Sequence, residues 1–335
     1  MFKTKFSAVV LCAALAAVSF LGCGSANSSQ PEPADTPAEI RVGILRGPTG
    51  MGMVGLMEQN EQGETENSYI FELAGAPEDM TARILSGEVD IAAVPTNLAS
   101  VLYNRTEGDI SIIAVNTLGV LYILDSTGEI NSLEDLRGRT LEATGQGATN
   151  EFVLQYILEQ NGIDDVEVIF RSEHSELAAR MLAGEAEIAM LPQPFVTTVT
   201  NQNSEINIAI NLTEEWANIS DAPLVMGSLI VRSDFLENNK DAINIFLREY
   251  AESVEFVNNV NRYSSIYPSQ PAQLMEKFDI IPAAVAARAI PYSNLVFIEG
   301  DRLRRYVLGY LEVLFEANPQ SVGGGLPSEA FFYSR

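Results

Sequence analysis

Fourteen residues occur twice in this chain, as ARILSGEVDIAAVP from Ala82 to Pro95 and as ARMLAGEAEIAMLP from Ala179 to Pro192. The copies lie 97 residues apart and agree at eight positions, and the rest are small or conservative changes such as Asp90 against Glu187. Each copy reads as a helix that stops before a short apolar run, DIAAV or EIAML. A run apolar throughout, rather than alternating, is the pattern of a parallel strand covered on both faces. Such a strand needs a sheet with helices on both sides, so the duplication predicts two α/β units of one design.

The flanking text supports that prediction. In the first unit, Ile40 to Leu45 reads as a strand, Gly47 to Gly50 as a turn into an apolar helix over Met51 to Met57, and Ser68 to Ala74 as a second strand. Pro77 then opens a helix as a favourable first-turn residue, with Met80 and Ile84 on one face and Gly87 at its end. The second unit runs from Thr117 to about Ala222. Ser132 to Gly138 reads as a capped helical turn, Arg139 to Ala143 as a strand, and Thr144 to Thr149 as a turn into a helix over Glu151 to Gln160. Val166 to Phe170 is the next strand, and Ser172 is placed to cap a helix around Leu177 to Leu182. Leu224 to Phe235 reads as a strand returning to the first unit. Helices over Asp241 to Val260 (apolar stripe Ile245, Phe246, Tyr250, Val254, Val257), Ala272 to Phe278, Ala283 to Ala289 and Asp301 to Glu316 would cap that unit from outside. The expected lobes are therefore 38–116 with 226–335, and 117–225, joined by a double hinge near Asn116 to Gly119 and Asp221 to Gly227.

Ahead of the first lobe, residues 1–22 combine Lys3 and Lys5 with an apolar run from Phe6 to Leu21 and no acid. This is a secretion-signal pattern, too short and too lightly flanked for a spanning helix. SFLGCGS around Cys23 resembles the lipobox of bacterial lipoproteins, in which the cysteine is lipidated. Residues 23–37, rich in Ser and Pro, suit a flexible tether. The expected location is extracytoplasmic, anchored to the cell membrane by lipid. Removing the signal takes the formal charge from −25 to −27, which argues against nucleic-acid phosphates as partners. It also removes Cys12 and leaves Cys23 alone, so no internal disulfide is expected and stability must come from packing.

In open α/β sheets, ligands bind beyond the carboxyl ends of the strands. That rule selects Pro48, Thr49 and Gly50 with Thr96 and Asn97 in the first lobe, and Gly147, Ala148, Thr149, Glu173, His174, Gln193 and Pro194 in the second. GPTGMG and TGQGAT each precede a helix, whose free N–H groups could receive an anionic or strongly polar ligand group. Neither continues as a nucleotide-binding P-loop. His174 is the only histidine; it reads either as plain surface or as a ligand hydrogen-bonding group, with Glu173 as an acceptor for an amino group. Trp216 reads either as a stacking surface for a planar ligand or as a packed hinge residue. Neither a metal cluster nor a catalytic signature is legible, so no cofactor, no metal and no enzymatic activity are expected.

Taken together, LRGPTGMGMVGLME, DIAAVPTN, TLGVLYIL, TGQGATNEFVLQYILEQNG, AMLPQPFVT and VLFEANPQSVGGGLP make the chain after residue 38 resemble the substrate-binding lipoproteins of bacterial ABC importers. The resemblance is to the nitrate/sulfonate/taurine/thiamine-precursor type. It implies a type II periplasmic-binding-protein fold, a monomer that closes on a small organic or oxyanion solute, and delivery to a membrane permease and its ATPase. The alternatives are a thiamine-precursor-synthase-like enzyme, whose Cys-rich iron motif has no counterpart here, and an extracellular sensor or adhesin on the same fold.

Overall fold

A computed structural model describes residues 38–259 and 269–335. The signal segment, Cys23 and the tether lie outside the described residues. The first half of the chain runs β1 (Glu39–Leu45), α1 (Pro48–Met51), α2 (Val54–Gln62), β2 (Ser68–Ala74), α3 (Pro77–Ser86), β3 (Ile91–Pro95), α4 (Thr96–Arg105) and β4 (Ile110–Leu118). It continues with β5 (Leu121–Asp125), β6 (Thr140–Thr144), α5 (Thr149–Gln160), β7 (Glu167–Arg171), α6 (His174–Leu182), β8 (Ile188–Pro192), α7 (Phe195–Gln202), β9 (Asn207–Asn211) and α8 (Leu212–Ile219). The last third holds β10 (Val225–Arg232), α9 (Ser233–Asn238), α10 (Lys240–Asn258), α11 (Gln270–Lys277), α12 (Ala283–Ala289), β11 (Leu295–Ile298) and α13 (Gly300–Ala317).

The strands form two sheets, ordered β11-β4-β10-β3-β1-β2 and β7-β6-β8-β5-β9. The duplicated segment explains their likeness. Its strand is β3 in one sheet and β8 in the other, and each lies between a parallel neighbour (β1, β6) and an antiparallel one (β10, β5). Ile91 to Val94 and all of Ile188 to Pro192 are buried, as strands covered by helices on both faces must be. The fold is mixed α/β with two sheets of related order.

The chain passes between the sheets twice, and the two passages are neighbours. β4 leads through Gly119 and Val120 into β5, and β10 returns to the first sheet between β3 and β4. β4 and β10 are antiparallel up to the passage itself, where Val225 faces Leu118. Gly119 is required by close approach, because a Cβ there would lie 2.2 Å from Thr213 Oγ1. The Asn294 carboxamide donates to the Gly119 carbonyl from the β11 side.

Several details depart from the sequence reading. The helix expected over Met51 to Met57 is two pieces, α1 and α2, with Gly52 and Met53 between them. Tyr250 of α10 packs on the break, its hydroxyl 2.8 Å from where a Gly52 Cβ would stand. In α10 the buried stripe takes Ile243 and Leu247, while Ile245 stays at its margin. Helix α6 begins at His174 after Glu173, and Ser172 does not cap it. Helix α13 also reaches the elements around the second sheet, since Tyr310 lies 5.6 Å from the Trp216 ring of α8. Trp216 is 1% exposed, also meets Tyr156 at 5.2 Å, and donates its indole N–H to Ala222 O at 2.7 Å. It is a packed residue beside the second passage, with no surface for a ligand.

Candidate functional site

A cavity of about 90 Å³ lies between the two sheets beside an outer chamber of about 340 Å³, the two sharing Arg46, Gly75, Glu173 and His174 in their walls. The parallel strands β1, β2, β3, β6, β7 and β8 all supply residues to the inner wall at their carboxyl ends or in the turns that follow. From the first sheet come Pro48 and Thr49 after β1, Gly75 and Pro77 after β2, and Pro95 at the end of β3. From the second come Gly145 and Ala148 to Asn150 after β6, Ser172 to His174 after β7, and Pro192 ending β8. Thr117, Val120 and Met226 of the two passages form the floor. Gly47 (φ 124°) and Gly145 (φ 80°) turn the backbone in a region that side chains with a Cβ rarely adopt, which lets α1 and α5 start at the wall.

Few charges face this space. His174 shares a 2.6 Å hydrogen bond between its Nδ1 and Thr144 Oγ1, and its ring lies 5.1 Å from that of Phe195. Desolvation lowers its pKa to about 4, so the imidazole is neutral near pH 7. Arg46 is bound to Asp279 of the outer chamber, Nη2 to Oδ2 at 2.6 Å and Nε to the carbonyl at 3.2 Å. Glu173 accepts from Ser175 Oγ at 3.1 Å through one carboxylate oxygen only. Asn150 is buried, and its carboxamide hydrogen-bonds no described residue.

Of the residues selected from the sequence, Pro48, Thr49, Ala148, Thr149, Glu173 and His174 line the inner cavity. The others lie elsewhere, for identifiable reasons. No loop separates β3 from α4, so Thr96 and Asn97 are helical and buried rather than free at a strand end. Thr96 shares a hydrogen bond with Ser228 Oγ at 2.8 Å. Asn97 donates to Ser321 O at 3.0 Å and accepts from Thr149 Oγ1 at 3.0 Å. Gly50 is packed on β1, where a Cβ would come 2.6 Å from Leu45 O. Gly147 is exposed and donates its N–H to Glu151 Oε2 at 2.6 Å. Gln193 is buried and accepts from Thr197 Oγ1 at 2.8 Å, and Pro194 beside it starts the packing of α7. Sequence reasoning missed Asn150, one residue beyond the selected turn, and Val120; Thr117 and Met226 fall in the expected hinge stretches but were not selected as site residues.

Elements flanking the two sheets touch across the cavity. Besides the Thr149–Asn97 bond, Arg288 Nη1 donates to Asn201 Oδ1 at 2.6 Å, and Phe195 approaches within 3.8 Å of a Cβ position on Gly47. Among the described residues no group of three or more His, Cys, Asp and Glu side chains could hold a metal ion, and no helix is long and apolar enough to cross a membrane.

Solved structures share this architecture. An ABC transporter from Parabacteroides distasonis aligns with a TM-score of 0.72 at 20% identity, over 89% of this chain and 99% of that one. The periplasmic aliphatic sulphonate binding protein SsuA from Escherichia coli aligns at 0.69 and 14% identity, over 89% and 93%. The periplasmic nitrate-binding protein NrtA from Synechocystis aligns at 0.61 and 12% identity, over 85% and 84%. The fold is thus that of type II periplasmic binding proteins. No curated protein sequence matches the chain. The family model described as NMT1/THI5 like matches residues 70–260, more than half of the 335 residues, and on that match the chain belongs to the NMT1/THI5-like family.

Proposed function

We propose that this protein is the extracytoplasmic solute-binding component of an ABC importer, held at the membrane by lipid on Cys23. It captures a small molecule between two lobes, 38–116 with 226–335 and 117–225, and presents the closed form as a monomer to a permease and its ATPase. The observation that carries this reading is the enclosed cavity whose walls come from both sheets and whose floor is the two passages. A ligand there touches both lobes only when they are together, so binding shifts the population toward closure. The contacts Thr149–Asn97 and Arg288–Asn201 suit a closed state. Proline, leucine and methionine walls with a few hydroxyl and amide groups suit capture rather than turnover.

Small-angle scattering with and without a solute identified by thermal shift tests the mechanism. A smaller radius of gyration with solute is expected, and identical curves at saturation would remove closure. The anchor is tested by Cys23→Ala, which should move the protein to the soluble fraction with ligand affinity unchanged. Retention of that variant in the membrane fraction would refute lipidation at Cys23.

A further inference from the structure

The charges facing the cleft point to the kind of solute it takes, an inference that rests on the solute-binding reading above. Among the described residues lining the two chambers, Arg46 is the one cationic side chain, and Asp279 already occupies it. Glu173, Glu276 and Asp279 line the outer chamber, so its ionised side chains are two negative charges in excess. Glu276 is partly committed, one oxygen accepting from the Ala283 N–H at 2.8 Å. Glu173 is not. Its Oε1 reaches across the cleft to within 3.7 Å of a Cβ position on Gly75 and hydrogen-bonds no described residue.

Helix starts are the remaining means of holding an anion, and three of those at the wall, α3, α5 and α6, carry their own acid, while α4 and α7 have none in their first turns. Helix α5 has Glu151 in its first turn, with Oε2 on the Gly147 N–H at 2.6 Å. Helix α3 has Glu78 and Asp79 there, and α6 has Glu176. These carboxylates offset the positive helix ends at the wall. The field of a chain with formal charge −25 adds long-range repulsion of anions.

We propose that the cleft takes a small organic ligand whose recognition group is a cationic or strongly donating nitrogen, held by the Glu173 carboxylate, with its apolar body against Leu45, Val120 and Met226. His174 Nε2 and the Asn150 carboxamide supply neutral hydrogen bonds to any further polar group the ligand carries. Sulfonates and inorganic oxyanions are excluded by the same charges, in contrast to the ligands named for the sulphonate- and nitrate-binding proteins of like fold.

The test uses the full chain and a thermal-shift panel built in matched charge series. It holds primary amines, guanidines and quaternary ammonium ions, their amide and alcohol counterparts, and their sulfonate and carboxylate counterparts, with nitrate added. Benzamidinium, benzamide and benzenesulfonate form one such series. Hits are expected among the nitrogen cations and N–H donors, with cation affinity falling as salt rises. Titration calorimetry on the best cationic hit should show at least tenfold weaker binding to Glu173→Gln, as for losing one charge-assisted hydrogen bond, with the melting temperature of the free variant unchanged. Glu173→Lys should reject that hit and bind its anionic counterpart better than the parent protein does. Hits confined to the anionic series, or a cationic hit indifferent to Glu173→Gln, would overturn this inference while leaving solute capture intact. No hit in any series, with scattering unchanged throughout, would overturn solute capture itself.

Discussion

Asn97 and Thr149 make the most informative pair to perturb, because their hydrogen bond links elements of the two sheets and both side chains are buried. Asn97 is 0% and Thr149 1% exposed, and the donor–acceptor distance is 3.0 Å. Asn97→Ala removes this bond and the one to Ser321 O, leaving a carbonyl and a hydroxyl without those partners in the interior. Each lost bond is worth about 1 kcal/mol net, and each buried group left unpaired costs a further ~1 kcal/mol or more, so the variant should lose about 2–4 kcal/mol. For a chain of this size that is a fall in melting temperature of roughly 3–6 °C. Thr149→Val keeps the shape and removes only the hydroxyl, at about 1–2 kcal/mol. The double variant should fall short of the sum by about 1 kcal/mol, because the shared bond can be lost only once. Urea unfolding of the four proteins, read at a common m-value, measures that coupling. A coupling below about 0.3 kcal/mol would mean that the two residues act independently, and would refute the bond as a link between lobes.

Three further outcomes can be checked on the free protein. His174 has its pKa lowered from 6.5 to about 4 by burial, so the unfolded chain binds the extra proton first. Its contribution is complete above pH 6.5 and declines as pH falls toward 4, by at most about 3 kcal/mol; His174→Gln should flatten that part of the stability profile in thermal melts. Glu142 is held down to about 2 by its hydrogen bonds to Arg180 and Arg171, with Arg180 Nε at 2.9 Å and Arg171 Nε at 2.7 Å. Glu142→Gln should therefore cost about 1–3 kcal/mol at neutral pH, and its deficit should shrink as pH falls from 4.5 through 2, where the parent carboxylate protonates. Trp216→Ala should destabilise by about 3–5 kcal/mol. Since Trp216 is the only tryptophan, parent fluorescence should be blue-shifted and insensitive to added solute quenchers until unfolding.

The design of the fold was legible wherever burial writes itself into composition. DIAAV and EIAML are apolar because helices cover them on both faces, and that pressure made the duplication visible. Strands without such cover left little trace. β9 is NIAIN, with two of its five residues exposed at a sheet edge, and β11 is four residues long. At the candidate site, the strand-end rule selected turns that line the cavity but could not give side-chain direction. Asn97 and Asn150 are each the second residue of a helix that follows a parallel strand, yet one points into a bond network with Ser321 and Thr149 while the other lines the cavity. That difference is set by where the helix begins, at Thr96 with no loop in one case and at Thr149 after a glycine turn in the other.

The place of β10 has a consequence for how the chain is made. β4 pairs only with β10 and β11, and β10 lies between β3 and β4, so the middle of the first sheet is synthesised after every strand of the second. While residues 38–116 emerge, β3 and β4 therefore present open edges, which invite pairing with other chains. Residues 121–211, by contrast, contain all five strands of their sheet in one uninterrupted stretch. The order of assembly is thus inverted with respect to the order of translation: the inserted sheet can complete itself first, and the earlier segment waits for Val225 to Arg232 to fill its gap. A chain with this wiring gains from being kept unfolded until its end is available, and shortened products ending before β10 should be found degraded or aggregated rather than folded as a free first lobe.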